Sequence, residues 1–590
     1  MKIQKQSTKI ASISTPTACT SYQLKLHSVI FSTSTVNHPD TWISLKCDIK
    51  PRHPCRPISC LLSGSLGARL FIKPPRSLAM RATSISSLFV SLLLYCLTSL
   101  AQNIAQLQEQ LQRSNVPAVF PNDPGYANAS APFNMRFSFS PIAIAFPETS
   151  QQVAASINAG TAQDLKVVAR SGGHSYIANG LGGKSGSLVL DLSRMKAITY
   201  DEETKTVKVE TGNRLGDIAL ALNDHGRAMP HGRCTYVGIG GHAGHGGFGF
   251  QSRMWGLTLD VVQSVTVVLA NGTIATVSEN ENAELFWNTM SVFVPIPPGH
   301  PRRRLLLRNR HFNPIQTFPA PSSATIFNYG WTLDISDASK ALSNWQSFVD
   351  TDIPPEFGGE LVLSKGPSYG QVQLSFFGAY WGSFDTFNST IAPFKDTLPI
   401  VPQSQSVTSG NWFEGLEALV FGALNTSSAS ETRDTFYAKS LLTPEEVPMT
   451  EDAVGAFITY LGTEGFSSNT SWFVEVELYG GTNSAINKVP LDETAFAHRS
   501  ARFNFQLYAS SANKLPPYPD FGFTFVDGMA NSITSNMPDD WAWGAYVNYA
   551  DDRLADWQDR YYGSHYERLQ ALKRSVDPHD VFYFPESIEE

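Results

Sequence analysis

Two glycine-rich segments each carry a side chain that can form a covalent bond. Residues 170–176 read Arg-Ser-Gly-Gly-His-Ser-Tyr and include the imidazole of His174. Residues 231–249 contain the thiol of Cys234, followed by a cluster of glycines. Glycine lets a backbone approach a flat or phosphorylated group closely, and clustered backbone N–H groups can bind a pyrophosphate. The two segments therefore predict a site for a phosphate-containing ligand, with an imidazole and a thiol beside it.

Two other interpretations of these segments are weaker. A Gly-x-Gly-x-x-Gly pattern is present, but it lacks the strand-turn-helix context of a nicotinamide site. His231, His242 and His245 could be metal ligands, yet no carboxylate or further cysteine accompanies them in the sequence. We therefore expect neither a nicotinamide cofactor nor a metal ion.

The elements that must position these segments are short strands and helices. Strand patterns occur at residues 165–170, 187–192 and 204–211. Asn271-Gly272 predicts a hairpin with a type I′ turn. Residues 319–546 are rich in aromatic and β-branched residues, which predicts an antiparallel sheet with helices on one face. The expected fold class is α+β.

Within residues 472–481, Glu475, Glu477 and Tyr479 alternate onto one face of a strand.

Composition limits the class of protein. The 590 residues are 42% hydrophobic and 16% charged, and 43 glycines and 36 prolines are spread along the chain. This composition excludes a wholly disordered chain, a collagen and a coiled coil. The net charge of −8 disfavours a general nucleic-acid binder, and the length predicts several domains.

The N-terminal region has a composition of its own. Residues 80–101 begin Met-Arg, continue with a short apolar run and end Ser-Leu-Ala, which is typical of a secretory signal peptide. The run is shorter than the roughly 20 residues of a membrane span, so no membrane anchor is expected. A buried helix is the alternative. Since a signal peptide must be N-terminal, residues 1–79 are interpreted as a mispredicted extension or, alternatively, a disordered leader.

Secretion to the extracellular space also accounts for two other features. Five Asn-X-Ser/Thr sequences are candidate glycosylation sites, at Asn128, Asn271, Asn388, Asn425 and Asn469. Five of the six cysteines precede residue 100. Cleavage after residue 101 would leave Cys234 as the single cysteine, and a lone cysteine in a secreted protein indicates either an inert buried thiol or a special role.

Taken together, the motifs resemble the berberine-bridge-enzyme-like flavin oxidases, and within that family the secreted fungal oligosaccharide oxidases. The resemblance extends over about residues 116–588. It rests on Ser-Gly-Gly-His-Ser-Tyr at 171–176, Arg-Cys-Thr-Tyr-Val-Gly-Ile-Gly-Gly-His at 233–242, Asn-Tyr-Ala-Asp at 548–551, Tyr-Glu-Arg-Leu at 566–569 and Asp-Pro at 577–578.

The resemblance implies an FAD domain of the p-cresol-methylhydroxylase type in two parts, residues 116–318 and 546–588. A substrate-binding domain, residues 319–545, lies between them in the sequence. The expected cofactor is FAD, attached covalently through both His174 and Cys234. The other residues expected to bind it are Arg170, Ser171, Gly172, Gly173, Ser175, Tyr176, Gly238, Gly240, Gly241, His242, Gly244 and Gly247.

Catalytic residues are also implied by the resemblance. In the oligosaccharide oxidases a tyrosine accepts the proton of the substrate hydroxyl, with a carboxylate nearby, while a hydride passes to FAD. The motif assigns Tyr549 to this role. Glu477 is the first choice for the carboxylate and Glu475 the second. Tyr176 and Trp472 could stack on a sugar ring or on the flavin, with ordinary packing as the alternative.

The implied activity is oxidation of the anomeric hydroxyl of an oligosaccharide to a lactone, with reduction of O₂ to H₂O₂. One alternative is oxidation of a small secondary metabolite by the same chemistry. Another is a catalytically inactive relative that binds carbohydrate. A monomer without nucleic-acid or membrane partners is expected in each case.

Residues 288–312 depart from the family pattern. Relatives have a glycine-rich stretch here, ending in a strand against the cofactor, whereas this chain has five arginines, at 302, 303, 304, 308 and 310. An unspliced intron or a frame error explains this better than a basic binding loop. We therefore expect the cofactor-contacting strand to be missing, with poor FAD retention or poor folding as the result. Replacement of the segment by a family-type sequence should restore covalently bound flavin.

Overall fold

The computed structural model describes residues 22–31, 43–51, 102–289, 311–398 and 401–589. The chain divides into two compact units, residues 1–96 and 97–590. The expected signal peptide and residues 290–310 lie outside the described residues, as does most of the expected extension. Within the described ranges, no helix combines the length and the hydrophobicity needed to cross a bilayer.

The first unit contains one described feature, a β-hairpin. Strands β1 (Tyr22–Phe31) and β2 (Ile43–Pro51) pair antiparallel, with a register shift between Leu26 and Val29. No strand period is evident in residues 1–79, so the sequence alone does not predict this hairpin.

The second unit begins with small sheets. In the four-stranded sheet, strand order is β3-β4-β6-β5, and the pairs β4–β6 and β5–β6 are parallel; its strands are β3 (Ala118–Val119), β4 (Ala143–Ala145), β5 (Val167–Arg170) and β6 (Leu188–Asp191). The next strands in the chain are β7 (Ile198–Asp201), β8 (Thr206–Glu210), β9 (Arg227–Ala228), β10 (Ser264–Val268), β11 (Ile274–Ser278), β12 (His311–Gln316) and β13 (Phe318–Pro319). Five of them form an antiparallel sheet of order β11-β10-β12-β8-β7, while β9 pairs with β13.

Strand β12 bears on the expected defect in this region. It pairs with β10 on one side and with β8 on the other, so it occupies an interior position of the five-stranded sheet. A strand therefore follows the arginine-rich segment, and the expectation that the family's cofactor-contacting strand is missing stays a prediction. Pro314, Ile315 and Gln316, the residues of β12 whose surroundings the structure describes, do not line the cavity described below.

The helices of this first region are short and lie among the small sheets. They are α1 (102–113), α2 (Tyr126–Ala129), α3 (Ser150–Thr161), α4 (Leu215–Asn223), α5 (Ile239–Gly244), α6 (Ser252–Trp255) and α7 (Ala283–Thr289), with 3₁₀ turns at Asn179–Leu181 and Thr258–Val261. Helix α3 begins as the sequence predicts, because the side chain of Thr149 accepts a hydrogen bond from the backbone N–H of Gln152.

A seven-stranded sheet dominates the middle of the chain. All its neighbouring pairs are antiparallel, in the order β17-β14-β16-β15-β19-β20-β18. Its strands are β14 (Ala324–Asp334), β15 (Phe357–Lys365), β16 (Gln371–Tyr380), β17 (Ser404–Gly410), β18 (Phe436–Pro444), β19 (Ser471–Leu478) and β20 (Ala501–Ser510).

Helices cover one face of this sheet and form its core. The helices of the middle region are α8 (Ile335–Val349), α9 (Phe384–Lys395), α10 (Trp412–Leu419), α11 (Glu451–Ser467), α12 (Ala485–Lys488) and α13 (Asp520–Thr534), with a 3₁₀ turn at Leu491–Glu493. Buried side chains of α8, α9, α11 and α13 pack with those of the sheet in one apolar cluster. The sequence prediction of an antiparallel sheet covered by helices, and of an α+β fold, is confirmed.

The C-terminal segment returns to the first region. It contains a 3₁₀ turn at Val547–Tyr549, helix α14 (Trp557–Tyr562), a 3₁₀ turn at Gly563–His565 and helix α15 (Tyr566–Val576). Beyond α15, the carbonyl of Val581 accepts a 2.8 Å hydrogen bond from the backbone N–H of Val167, at the start of β5. The last residues thus extend the pairing of the four-stranded sheet, directly behind the first glycine-rich segment.

Candidate active site

A cavity of ≈ 940 Å³ lies where the glycine-rich segments face the large sheet. One wall is made by residues 169–176, which follow β5, and by residues around α5. The opposite wall is the helix-free face of β15, β16, β19 and β20, and residues 546–550 complete the lining. Three separate parts of the sequence therefore meet at one site.

The two glycine-rich segments touch at Gly172 and Gly238. A Cβ at Gly172 would lie 2.4 Å from the backbone nitrogen of Gly238, and a Cβ at Gly238 would lie 2.1 Å from that of Gly172. Gly173 has a φ of +75°, which favours glycine. The hydroxyl of Ser171 accepts a 3.2 Å hydrogen bond from the N–H of Gly240, which ties the two segments together. This contact leaves backbone N–H groups beside the cavity, and such a cradle fits the pyrophosphate of a dinucleotide.

Arg170 fixes the start of the first segment. Its Nε donates a 2.9 Å hydrogen bond to Asp191 at the end of β6, and its NH1 group donates to the carbonyl of Ala129 at 2.7 Å. The parallel neighbours β5 and β6 are thus joined at their carboxyl ends, where the loop to His174 begins.

His174 is held on two sides. The ring of Phe133 stacks on its imidazole, with 3.7 Å between ring centroids and 25° between planes. Its Nε2 lies 2.8 Å from Oε1 of Glu431, which belongs to the loop between α10 and β18. The imidazole also lines the cavity, so one ring nitrogen faces a carboxylate while the ring borders the ligand space.

The thiol of Cys234 is exposed to the same cavity. Although the residue borders the cavity, the surrounding protein keeps water from its thiol, and this desolvation raises the pKa of Cys234 to about 11. The charge of Arg233 acts in the opposite direction. Cys234 forms a parallel β-bridge with Phe421, which fixes its backbone. Among the described residues it has no disulfide partner.

A phenol and a carboxylate meet on the other side of the cavity. The hydroxyl of Tyr549 donates a 3.0 Å hydrogen bond to Oε1 of Glu477. The other oxygen of Glu477 accepts a 2.5 Å hydrogen bond from Nδ2 of Asn504. Burial, and next the neighbouring charge of Glu475, raise the pKa of Glu477 to about 8. Burial first and Glu477 second raise the pKa of Tyr549 well above the usual 10. This pair can therefore pass a proton from the phenol to the carboxylate once Glu477 is ionised, as pH rises through about 8.

Glu475 lies beside this pair in an ion-pair network. NH2 of Arg233 donates to both carboxylate oxygens of Glu360 at 2.9 Å and to Oε1 of Glu475 at 3.2 Å. The guanidinium is packed between the rings of Phe250, Phe377 and Phe421, all within 5.1 Å of its central carbon. The expectation that Glu475 and Glu477 share a face holds, and only Glu477 contacts Tyr549.

Tyr176 and Trp472 have different positions. The ring of Tyr176 lines the cavity, stacks parallel to that of Tyr549 at 5.6 Å, and its hydroxyl accepts a 2.6 Å hydrogen bond from Gln506. Trp472 does not line the cavity: it is buried among the helices, and its Nε1 donates to the carbonyl of Gly465 at 2.9 Å. The interpretation of Trp472 as a sugar platform is wrong, and the alternative of ordinary packing is correct.

The other sequence-predicted cofactor residues lie at the cavity, with one exception. Ser175, Gly241, His242 and Gly244 line it together with the residues described above. Gly247 does not line the cavity. Its backbone N–H donates a 3.1 Å hydrogen bond to the hydroxyl of Tyr546, and the residue lies against Thr258. It supports the loop behind the cavity wall instead.

The histidines and carboxylates near the cavity have partners within the protein. His242 accepts a hydrogen bond from the backbone N–H of Gly232 at 3.1 Å, and burial lowers its pKa to about 3. Among the described residues, one group of potential ligands comes within reach of a common cation, namely Glu360, Glu475 and Glu477. Arg233 already donates to two of these carboxylates, so the arrangement fits an ion-pair network.

Several side chains at the site have no signal in the sequence. Glu360 and Glu431 contact partners far away in the chain, and nothing in their local spacing marks them. Arg233 belongs to the second motif, but the motif does not reveal its acidic partners. Asn504 and Gln506 follow from strand alternation once β19 and β20 are known to be neighbours, since they pair with Glu477 and Glu475 respectively.

Comparison with known proteins agrees with this geometry. Residues 141–278 match the family model for an FAD binding domain, and residues 545–589 match the model described as berberine and berberine like. The chain is 34% identical to a xylooligosaccharide oxidase of Thermothelomyces thermophilus, over 82% of this chain and 94% of that protein. It is also 34% identical to a chitooligosaccharide oxidase of Gibberella zeae, over 81% and 93% of the two chains.

A solved structure of glucooligosaccharide oxidase from Acremonium strictum has the same fold. It superposes with a TM-score of 0.74 at 31% identity, over 82% of this chain and 99% of that one, and its description names a 6-S-cysteinyl, 8α-N1-histidyl FAD. The expected family and the FAD cofactor are confirmed. The chain belongs to the berberine-bridge-enzyme-like family of FAD-dependent oxidoreductases.

Proposed function

We propose that the protein oxidises the anomeric hydroxyl of an oligosaccharide to a lactone and reduces O₂ to H₂O₂. The observation that carries this proposal is the hydrogen bond from Tyr549 to Glu477 inside the cavity. A hydroxyl that is oxidised loses its proton as well as a hydride, and the pair provides a base with a final proton acceptor. FAD supplies the hydride acceptor when it is bound.

Tyr549 and Glu477 have separate roles in this scheme. Tyr549 receives the proton of the substrate hydroxyl and passes its own to Oε1 of Glu477, since the raised pKa of the phenol prevents it from ionising alone. Asn504 holds the second oxygen of Glu477 and so fixes the carboxylate. Tyr176 stacks on Tyr549 and keeps the plane of its ring.

His174 and Cys234 are the residues that we assign to covalent attachment of FAD. Both line the same cavity, and the description of the Acremonium structure names one histidyl and one cysteinyl bond in that protein. The glycine contact between Gly172 and Gly238 would hold the pyrophosphate. With two covalent bonds the cofactor needs no lid, which leaves the sheet side of the cavity for substrate.

The lining of the sheet side favours sugar over a small apolar metabolite. The rings of Phe473 and Tyr508 stack with centroids 4.7 Å apart and border the cavity, as does Phe377. Polar side chains alternate with them, including Ser364, Ser375 and Gln506. Aromatic surfaces beside hydrogen-bonding groups suit a pyranose ring, which has apolar faces and a polar edge.

A peroxide-coupled assay tests the substrate. Xylo-, cello- and chitooligosaccharides should yield H₂O₂, and the same sugars reduced with borohydride should yield none, because reduction removes the anomeric hydroxyl. Equal rates with the reduced sugars would contradict oxidation at the anomeric carbon. Bound flavin that another alcohol reduces, without turnover of any sugar, would support the metabolite alternative, and carbohydrate binding without flavin would support the inactive one.

Secretion is part of the proposal. Its basis is the signal-peptide pattern of residues 80–101 together with the five candidate glycosylation sites, all of which have exposed asparagines, at Asn128, Asn271, Asn388, Asn425 and Asn469. Expression in a fungal host tests it: the culture medium should contain protein that begins near residue 102 and loses mass on treatment with an N-glycosidase. Protein that stays in the cells and still carries residues 80–101 would contradict it.

A further inference from the structure

We propose that Glu431 is a positioning residue that orients the imidazole of His174 for its covalent bond to FAD. The inference rests on the attachment through His174 proposed above and adds the group that prepares this residue. No recognised motif contains Glu431, which lies in the loop between α10 and β18.

The geometry of the contact supports this role. Nε2 of His174 is 2.8 Å from Oε1 of Glu431, and both side chains are largely buried, with 15% and 20% of their surface exposed. This oxygen is buried and has no hydrogen bond of good geometry to any described residue, so its contact with the imidazole is a close ion-pair contact that a small rotation of the ring would turn into a hydrogen bond. NH2 of Arg214 lies 3.8 Å from the other oxygen of Glu431. The stacked ring of Phe133 restricts the imidazole further.

The loop that carries Glu431 is anchored to the first region. The backbone and the hydroxyl of Thr426 donate to the carboxylate of Asp217 at 3.0 and 2.6 Å. The carbonyl of Ala429, two residues before Glu431, accepts a 2.9 Å hydrogen bond from the hydroxyl of Tyr236. The same loop begins at Phe421, which forms the β-bridge with Cys234. One segment thus contacts both proposed attachment residues.

The contact selects one form of the imidazole. A neutral imidazole has one N–H donor and one nitrogen with a free lone pair. A carboxylate next to Nε2 favours the tautomer that carries its proton on Nε2. In that tautomer the lone pair is on Nδ1, and Nδ1 is the nucleophile. The same arrangement, in which a carboxylate orients a histidine and stabilises its positive charge, operates in hydrolase triads.

The bond formation balances with O₂ as the oxidant. One C–H bond of the flavin 8α-methyl group and the N–H of the imidazole are replaced by one C–N bond. The two protons and two electrons released reach O₂, which becomes H₂O₂. While Nδ1 forms the bond the ring carries a positive charge, and the carboxylate of Glu431 stabilises that charge until the proton leaves.

The test follows attachment at each residue separately. The full chain is produced without flavin, FAD is added, and samples are digested at intervals, so that mass spectrometry gives the flavin-bearing fraction of the His174 and Cys234 peptides. In Glu431→Gln, attachment at His174 should be slower by at least about tenfold, the range found when a partner that orients a histidine is lost. Attachment at Cys234 should change little, and H₂O₂ release should fall with the His174 reaction.

Controls separate positioning from a structural role. Glu417→Gln, an exposed change on α10, should match the wild type. Glu431→Asp retains a carboxylate and should attach faster than Glu431→Gln. Reversible FAD binding and the thermal midpoint of the flavin-free protein should be the same in all four proteins. Equal attachment rates in Glu431→Gln and wild type would overturn the inference, as would a loss of reversible binding that accounts for the slower rate. An unmodified His174 in the wild type would instead contradict the proposed attachment.

Discussion

Tyr549 and Glu477 contact each other across the two main parts of the fold. The phenol belongs to the 3₁₀ turn of the C-terminal segment and the carboxylate to β19 of the large sheet, and 3.0 Å separates Oη from Oε1. Neither part of the fold contains both Tyr549 and Glu477. The cavity between them is therefore competent for proton transfer only when the C-terminal segment is docked.

Tyr549→Phe removes the proposed base and little else. Loss of a positioned general base should lower kcat by about 10²–10⁴-fold, while the flavin content should remain at the wild-type level. Rapid mixing with sugar and measurement of flavin bleaching give the rate of the reductive step directly. Tyr369→Phe is the matched control, since that tyrosine is 66% exposed. A reductive rate in Tyr549→Phe equal to that of the control would show that another group accepts the proton.

The pKa of Glu477 predicts the pH dependence. Below a pKa of about 8 the carboxyl is protonated and cannot take a proton from Tyr549. The reductive rate should therefore rise with pH and reach half of its maximum near pH 8. In Glu477→Gln the rate should be low and this rise should be absent. An unchanged pH profile in that variant would assign the ionisation to a different group.

The same shift has a consequence for stability. The pKa of Glu477 in the fold exceeds its usual value of 4.5, so its contribution to folding is fully present below pH 4.5 and is lost as pH rises through about 8. Relative to wild type, Glu477→Gln should gain thermal stability at pH 8 compared with pH 5. Glu417→Gln should show no such pH-dependent difference.

Sequence analysis predicted the features that depend on local patterns. The alternation of β19 brought Glu475 and Glu477 to the cavity face, and the same alternation places Trp472 on the opposite face, under the helices. The strand pattern alone therefore predicts that Trp472 does not face the cavity. The hairpin of β10 and β11 was predicted correctly, but not its turn, because only Gly272 has a positive φ and the loop is one residue longer.

Features that depend on distant partners could not be predicted. Arg233 and Glu360 are 127 positions apart and meet only because the second glycine-rich segment packs against β15. The contact of His174 with Glu431 has the same origin, since the loop after α10 must first be anchored to the other region. A single sequence carries no spacing rule for such contacts.

The contact between Gly172 and Gly238 predicts a steric effect. A methyl group at Gly172 would meet the backbone of Gly238 at 2.4 Å, so Gly172→Ala should separate the two segments. We expect a loss of about 1–3 kcal/mol in the free energy of unfolding and loss of FAD. Gly455→Ala, on α11 and outside the cavity lining, is the matched control, because nothing lies within 4 Å of a Cβ at that position. Flavin content and chemical denaturation measure both effects, and equal behaviour of the two variants would contradict this account.

The ion pair of Arg233 and Glu360 gives the last prediction. The side chain of Glu360 is 0% exposed and that of Arg233 is 9% exposed. Arg233→Met leaves a buried carboxylate without its cation, which should cost about 3–5 kcal/mol of unfolding free energy.

The double variant Arg233→Met/Glu360→Gln should recover most of that loss, because it removes both charges together. Arg194→Met, which breaks an ion pair whose side chains are 46% and 51% exposed, should cost about 0–1 kcal/mol. Chemical denaturation of the flavin-free wild type, of these three variants and of Glu360→Gln alone gives the free energies of unfolding that this comparison needs. A loss of unfolding free energy in the double variant equal to the sum of the two single losses would show that Glu360 is not charged in the fold. Arg233 would then stabilise the protein through its packing between Phe250, Phe377 and Phe421.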